Sequence, residues 1–184
     1  MKHTPWLLPL GIVAAATLAS PHAIAETYFT TEQAQKALFP DATSFEPMVL
    51  SLTDADRATI SKVAKTRTPL PEKSVWRAKK GAETLGTFVV DEVYGKHEFI
   101  TYAVAIKPDG SARGLEIMVY RETYGGQIRD AKWRNQFVGK THGAALALDQ
   151  DISNISGATM SCLHVAEGVK RVLALHAIAI KNKA

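Results

Sequence analysis

Phe99-Ile100-Thr101-Tyr102-Ala103-Val104-Ala105-Ile106, then Lys107-Pro108-Asp109-Gly110, then Ser111-Ala112-Arg113-Gly114-Leu115-Glu116-Ile117-Met118-Val119 form one continuous stretch whose reading decides the fold. In the first part Ile100, Tyr102, Val104 and Ile106 recur at every second position, the period of a strand with one face on a core. Leu115, Ile117 and Val119 repeat that period in the third part. Between them, proline presets a turn dihedral, aspartate bonds the backbone ahead of it, and glycine accepts a positive φ. Two alternating runs joined by such a turn make an antiparallel hairpin.

Upstream, residues 74–79 and 85–94 are rich in β-branched and aromatic side chains, with Gly81 and Gly95 as punctuation, and read as two further strands. Two helix starts precede them. Thr30 with Gln33 forms a capping box before Ala34, Ala37 and Leu38, and Pro40 ends that element. Thr53 with Asp56, in place of the usual Glu or Gln, opens a second helix carrying Ala55, Ile60, Val63 and Ala64, which should stop near Lys65, before Pro69 and Pro71. Downstream, residues 131–137 read as a short helix bearing Trp133 and Phe137, followed by a loop through Gly139 and Gly143. Residues 160–180 form the longest helix, with Val165, Val169, Val172, Leu173 and Ile180 on one stripe and Glu167 expected to pair with Arg171 on the far side. The expected fold is α+β: a twisted antiparallel sheet with packed helices and a long C-terminal helix.

The chain has 184 residues, a formal charge of +4 and one cysteine. Lys2 and His3 give a short basic start, residues 6–19 are mostly apolar, and Ala23-Ile24-Ala25 fits a small-residue cleavage site. Residues 1–25 therefore read as a signal peptide cleaved after Ala25; the alternative is a retained anchor, for which the apolar run is shorter than the roughly 20 residues that span a bilayer. Residues 26–184 are then one domain. Basic residues are scattered rather than blocked, so nothing points to nucleic acid. The lone Cys162 excludes an internal disulfide, a Cys-x-x-Cys-His haem site and a cysteine zinc cluster, and fits a small buried helix residue.

Candidate chemistry lies at the head of the last helix. Asn154-Ile155-Ser156-Gly157-Ala158-Thr159-Met160-Ser161 reads as a loop turning into a helix with a threonine hydroxyl at the junction. Glycine permits a tight turn and a close ligand, and a helix start presents unpaired N–H groups and a positive dipole end. A phosphate is the natural guest, and an ordinary hydroxyl N-cap is the alternative. Ser156-Gly157-Ala158-Thr159-Met160-Ser161 also resembles the flavinylation motif of FMN-binding domains, the covalently flavinylated domains found in the sodium-translocating NADH:quinone reductase and in the Rnf electron-transport complex.

The resemblance implies that Thr159 carries FMN covalently through a phosphoester and that Ser156, Gly157, Ala158 and Ser161 shape the phosphate site. Ser153 stands where the family usually has aspartate; Asp149 and Asp151 are the nearest acids. Glu122-Thr123-Tyr124-Gly125-Gly126 resembles the family's Glu-Thr-Pro-Gly loop beside the flavin, with Tyr124 in place of proline. This makes Glu122 and Thr123 cofactor-binding candidates, against the alternative of a surface turn. Trp133, Gln136, Phe137, Gly139 and Lys140 resemble the segment between loop and motif. The implied protein is an exported, periplasmic or cell-envelope electron-transfer flavoprotein, a carrier more than a free-standing reductase. It would be matured by a flavin transferase and would serve a redox partner such as a cytochrome or a membrane electron-transport complex. The rival reading is a non-redox envelope module whose Ser-Gly-Ala-Thr loop is only a helix cap or a phosphate site.

Other constellations carry less. His176 falls inside the apolar stripe of the last helix and reads as a core histidine. Cys162 and His164 lack a third metal ligand, and His142 is unconstrained.

Overall fold

The computed structural model describes residues 26–66 and 68–181. The expected signal peptide lies outside these residues. Six strands form one antiparallel sheet: β1 (Glu26–Thr27), β2 (Ser44–Pro47), β3 (Val75–Lys80), β4 (Glu83–Tyr94), β5 (Phe99–Ile106) and β6 (Ala112–Tyr120), in the order β1-β6-β5-β4-β3-β2. The β5–β6 hairpin turns as its sequence requires. Gly110 adopts φ 91°, and Asp109 Oδ1 accepts from the Ser111 backbone N–H at 2.8 Å and from its hydroxyl at 2.7 Å.

Both capping boxes are formed. α1 (Thr31–Leu38) is capped by Thr30 with Gln33, and α2 (Asp54–Val63) by Thr53 with Asp56, whose shorter carboxylate still reaches the Thr53 N–H at 3.0 Å. The short helix α3 (Ala131–Arg134) runs on into a 3₁₀ turn, Asn135–Phe137. The long helix α4 (Thr159–Leu175) ends in a wider π-helical turn, His176–Ile180, rather than continuing as regular α-helix.

The sheet is covered on both faces. Ile100, Tyr102, Val104 and Ile106 of β5 meet Leu115, Ile117 and the α4 stripe Val165, Val169, Val172 and Leu173 in the larger core. The intervening Ala103 and Ala105 face a second cluster with Ala34 and Leu38 of α1, Phe39, Phe88 and Met118. Alanines suit this face because the aromatic rings occupy the space: Phe45 packs edge-on against Phe39 and Phe88, with centroids 6.2 and 6.0 Å apart.

The expected Glu167–Arg171 pair is not formed. Glu167 instead pairs with Lys170 at 3.1 Å and accepts from the Lys65 backbone N–H. Arg171 is 1% exposed and turns inward to Asp91 of β4, its Nη2 lying 2.6 Å from both carboxylate oxygens. The reason is solvation: a carboxylate held inside the protein without a cation is far more costly than an exposed glutamate without one. Nη1 also donates to Thr66 Oγ1, Thr68 O and Thr68 Oγ1, binding the chain after α2 to the helix. Tyr102 donates to Asp91 Oδ2, and burial together with the Asp91 charge holds its hydroxyl well above the usual phenol range. Gly168 lets α4 close on this group, since a Cβ there would sit 2.1 Å from the Tyr102 oxygen.

His176 is a core histidine, as expected. Burial, reinforced by the Lys181 ammonium and opposed by Asp109, lowers its pKa from 6.5 to about 4. The unfolded chain therefore takes up this proton first as pH falls below 6.5, and the folded chain takes it up only near 4. Stability should decline across that window by about 3 kcal/mol from this one group, and the contribution is absent above it. Urea unfolding at pH 7 and pH 4.5 should show His176→Leu losing distinctly less stability than the parent; equal losses would remove His176 as a cause.

Candidate functional site

The loop at the head of α4 is set by backbone geometry. Gly157 has φ 80° with open space where a Cβ would project, so it is required by its dihedral and not by crowding. The Ala158 N–H closes the turn onto Ile155 O at 2.9 Å. Ala158 is the N-cap residue, and no side chain caps the helix. The expected alternative role for the Ser156 or Thr159 hydroxyl, an N-cap, is therefore not the one they play. Thr159 is the first helical residue and is exposed; its Oγ1 accepts from Asn154 Nδ2 at 3.2 Å. The first-turn N–H groups are left for a ligand or water.

Gly125 brings the second loop against this one. It adopts φ 89°, and a Cβ there would lie 2.2 Å from Ala158 Cβ and 2.8 Å from the Tyr120 oxygen. Small residues on both sides thus allow the two loops to touch. The Tyr120 hydroxyl donates to Tyr124 O and lies 3.1 Å from Ser161 Oγ. Because the phenol has one proton and gives it to the carbonyl, Ser161 is the donor of the second bond. Ser161 is buried and ties the helix start to β6, a supporting role behind the cofactor position implied by resemblance. Gly125→Ala should cost about 1 kcal/mol for the positive φ and about 1–3 kcal/mol for the clash with Ala158. Thermal unfolding measures it, and an unchanged midpoint would mean that the loops do not meet this closely.

Glu122 works on the turn between β4 and β5. Its Oε1 accepts the backbone N–H of Lys96, of His97 at 2.7 Å and of Glu98 at 3.2 Å. Gly95 is needed for this approach, since a Cβ there would sit 2.4 Å from that oxygen. The carboxylate thereby fixes a third wall, one that sequence reasoning alone does not place at the site.

Together these segments enclose a hollow of about 340 Å³. Its wall contains Glu122, Thr123, Gly157, Ala158, Thr159 and Ser161, all cofactor-binding candidates from sequence, with Lys96, His97, Tyr124 and Met160 added by the fold. Ser156 is exposed and is not part of the wall. Lys96 is on the same wall, and its ammonium has no carboxylate partner among the described residues. The hollow and the uncapped helix start suit an anionic group. The residues present fit the phosphate of FMN: the first-turn N–H groups face no protein cap, and the exposed Tyr124 ring is on the same wall.

Ser153, where an acid was expected, contributes its backbone. Its carbonyl accepts from Trp133 Nε1 at 2.8 Å, and its N–H donates to Gln136 Oε1 at 2.7 Å. Trp133 and Gln136 thus support the loop from beneath. Asp151 is occupied nearby, accepting from Lys140 Nζ at 2.9 Å and from the N–H groups of Leu146 and Ala147. Neither Asp151 nor any other carboxylate or histidine among the described residues bonds the Thr159 hydroxyl. Burial raises the Cys162 thiol, His164 Nδ1 lies against the Tyr94 and Gly95 carbonyls, and no metal-binding cluster occurs among the described residues.

Residues 95–174 match the family model described as the FMN-binding domain, and every residue on the hollow's wall falls inside that range. Among solved structures the chain is similar to NqrC of Shewanella oneidensis, at 21% identity over 74% of this chain, with a TM-score of 0.41. The chain spans 65% of the length of that protein's chain. No curated protein matches it.

Proposed function

From the match of residues 95–174 to the family model of the FMN-binding domain, we propose that the protein is an exported electron carrier holding FMN covalently on Thr159. The observation that carries the reading is the exposed Thr159 at the first position of an uncapped helix, on the wall of a hollow that Lys96 also lines. Bound FMN would supply the electron chemistry. The protein's residues supply position and electrostatics. Gly157 and Ala158 shape the turn, Ser161 and Tyr120 brace it, and Glu122 sets the Lys96 wall with Thr123 alongside. The first-turn N–H groups favour the remaining phosphate charge by roughly 0.3–1 kcal/mol through the helix dipole.

A threonine hydroxyl without a neighbouring base is a weak nucleophile, so a separate flavin transferase performs the attachment. Residues 1–25 direct the chain to the periplasm, where a covalent bond prevents loss of a cofactor that has no local pool. The redox partner is a cytochrome or a membrane electron-transport complex. Coexpression with a flavin transferase and export to the periplasm, followed by intact-protein and peptide mass spectrometry, tests the reading. An adduct of FMN minus water should map to the peptide containing Thr159. An unmodified periplasmic chain would leave the hollow as a reversible phosphate site in a non-redox module.

A further inference from the structure

The geometry points to Asn154 as the positioning residue for modification of Thr159: its carboxamide holds the hydroxyl of this hollow-lining threonine in one orientation. This rests on the covalent reading above.

Residue 154 is rigidly placed because its predecessor is pinned from both sides, Ser153 O by Trp133 Nε1 and Ser153 N–H by Gln136 Oε1. From there the Asn154 side chain crosses the turn and donates from Nδ2 to Thr159 Oγ1 at 3.2 Å. A helical threonine ordinarily has another outlet, the carbonyl four residues back. Thr59 of α2 takes it, donating to Ala55 O at 2.8 Å. Thr159 does not: it is the first residue of α4, so the residue four back, Ile155, lies in the loop before the helix, and Oγ1 is bonded to Asn154 instead. Of the two Oγ1 lone pairs, Asn154 engages one and leaves the other, with the O–H, for chemistry.

The same amide leaves its Oδ1 buried without a partner. A side chain retained only for packing would do better as a hydrocarbon of the same shape. This residue keeps its contact with Thr159 at the expense of its other end.

The step it serves forms a bond from Thr159 Oγ1 to the phosphorus of an FMN unit that carries a leaving group. The phosphorus–leaving-group bond breaks, the leaving group departs with the electron pair, and the hydroxyl proton passes to a base on the transferase. Fixing one of three staggered χ1 wells in advance favours this attack by about threefold, and holding the oxygen within reach adds to it.

Two variants separate a positioning role from a structural one. Asn154→Leu keeps the branched shape and removes the orphan atom, so its melting temperature should equal or exceed that of the parent. Initial rates of flavinylation, read as in-gel fluorescence against protein concentration, should nevertheless show kcat lowered about three- to tenfold with KM unchanged. Asn154→Ala should behave likewise in rate. In the unmodified, 15N-labelled protein, the Asn154 side-chain NH₂ resonances should move on Thr159→Val. Parental kcat in both Asn154 variants, or unmoved amide resonances, overturns the proposal. A parent chain that is never labelled is a different result and sinks the covalent reading itself.

Discussion

Thr159→Ala should abolish the flavin adduct and leave the fold essentially as stable as before. The first half follows from chemistry, since alanine offers no oxygen to phosphorus. The second half discriminates between readings. Were the hydroxyl an N-cap, its removal would cost about 1 kcal/mol, because the cap satisfies an otherwise unpaired N–H. Here the N-cap is Ala158, with no side-chain bond, and Thr159 Oγ1 accepts only from Asn154 at 3.2 Å. At an exposed position, water replaces that contact. The unfolding free energy of the unmodified protein should therefore change by less than about 0.5 kcal/mol, the usual range for surface substitutions. Thr159→Ser, which retains the nucleophile, should still be labelled. Mass spectrometry and urea unfolding on the same samples decide the matter: a stability loss near 1 kcal/mol would restore the capping role, and an adduct surviving in the alanine variant would move the anchor elsewhere.

The features legible in the sequence are those whose cause is local. Thr30 with Gln33 and Thr53 with Asp56 announce their helices because both bonds of a capping box close across three residues. The β5–β6 hairpin is similarly written in its turn and its period of two. The edge strands are not legible: Ser44–Pro47 has neither alternation nor propensity and pairs only because Pro47 stands at an edge, where a missing N–H is tolerated. Within the site, glycine and hydroxyl residues make the loop before Thr159 legible as a helix start, equally suited to a cap or a phosphate, and only the resemblance of residues 156–161 to the family motif points further. Lys96 and His97 cannot be found this way. They reach the hollow through Glu122, whose link to them spans 25 or 26 residues and depends on how two strand ends meet. Helical spacing alone pairs Arg171 with Glu167, while Asp91, 80 residues away, is visible only once β4 lies under α4.

That same arginine should carry a large stability effect. Asp91→Ala leaves a guanidinium 1% exposed without its counter-charge, and removing one partner of a buried pair costs about 3–5 kcal/mol. Several features of the surroundings place the effect well above that of a surface pair. Tyr102 loses its acceptor, and Gly168 packs so closely on the Tyr102 ring that α4 cannot shift to admit water without parting from β5. Arg171 keeps its bonds to Thr66 and Thr68, so it stays inside rather than escaping to solvent. For a domain of this size the loss corresponds to a fall in melting temperature of about 6–20 °C. The double variant Asp91→Leu with Arg171→Met should recover much of it, because two apolar side chains need no pairing. Restoration by the pair identifies desolvated charge as the cause, whereas an Asp91→Ala loss below about 1 kcal/mol would mean that water already reaches the guanidinium. Since α4 carries Thr159 at one end and Arg171 near the other, the destabilised variant should also be flavinylated less completely as temperature rises, in step with its unfolding and with no change in the site of attachment.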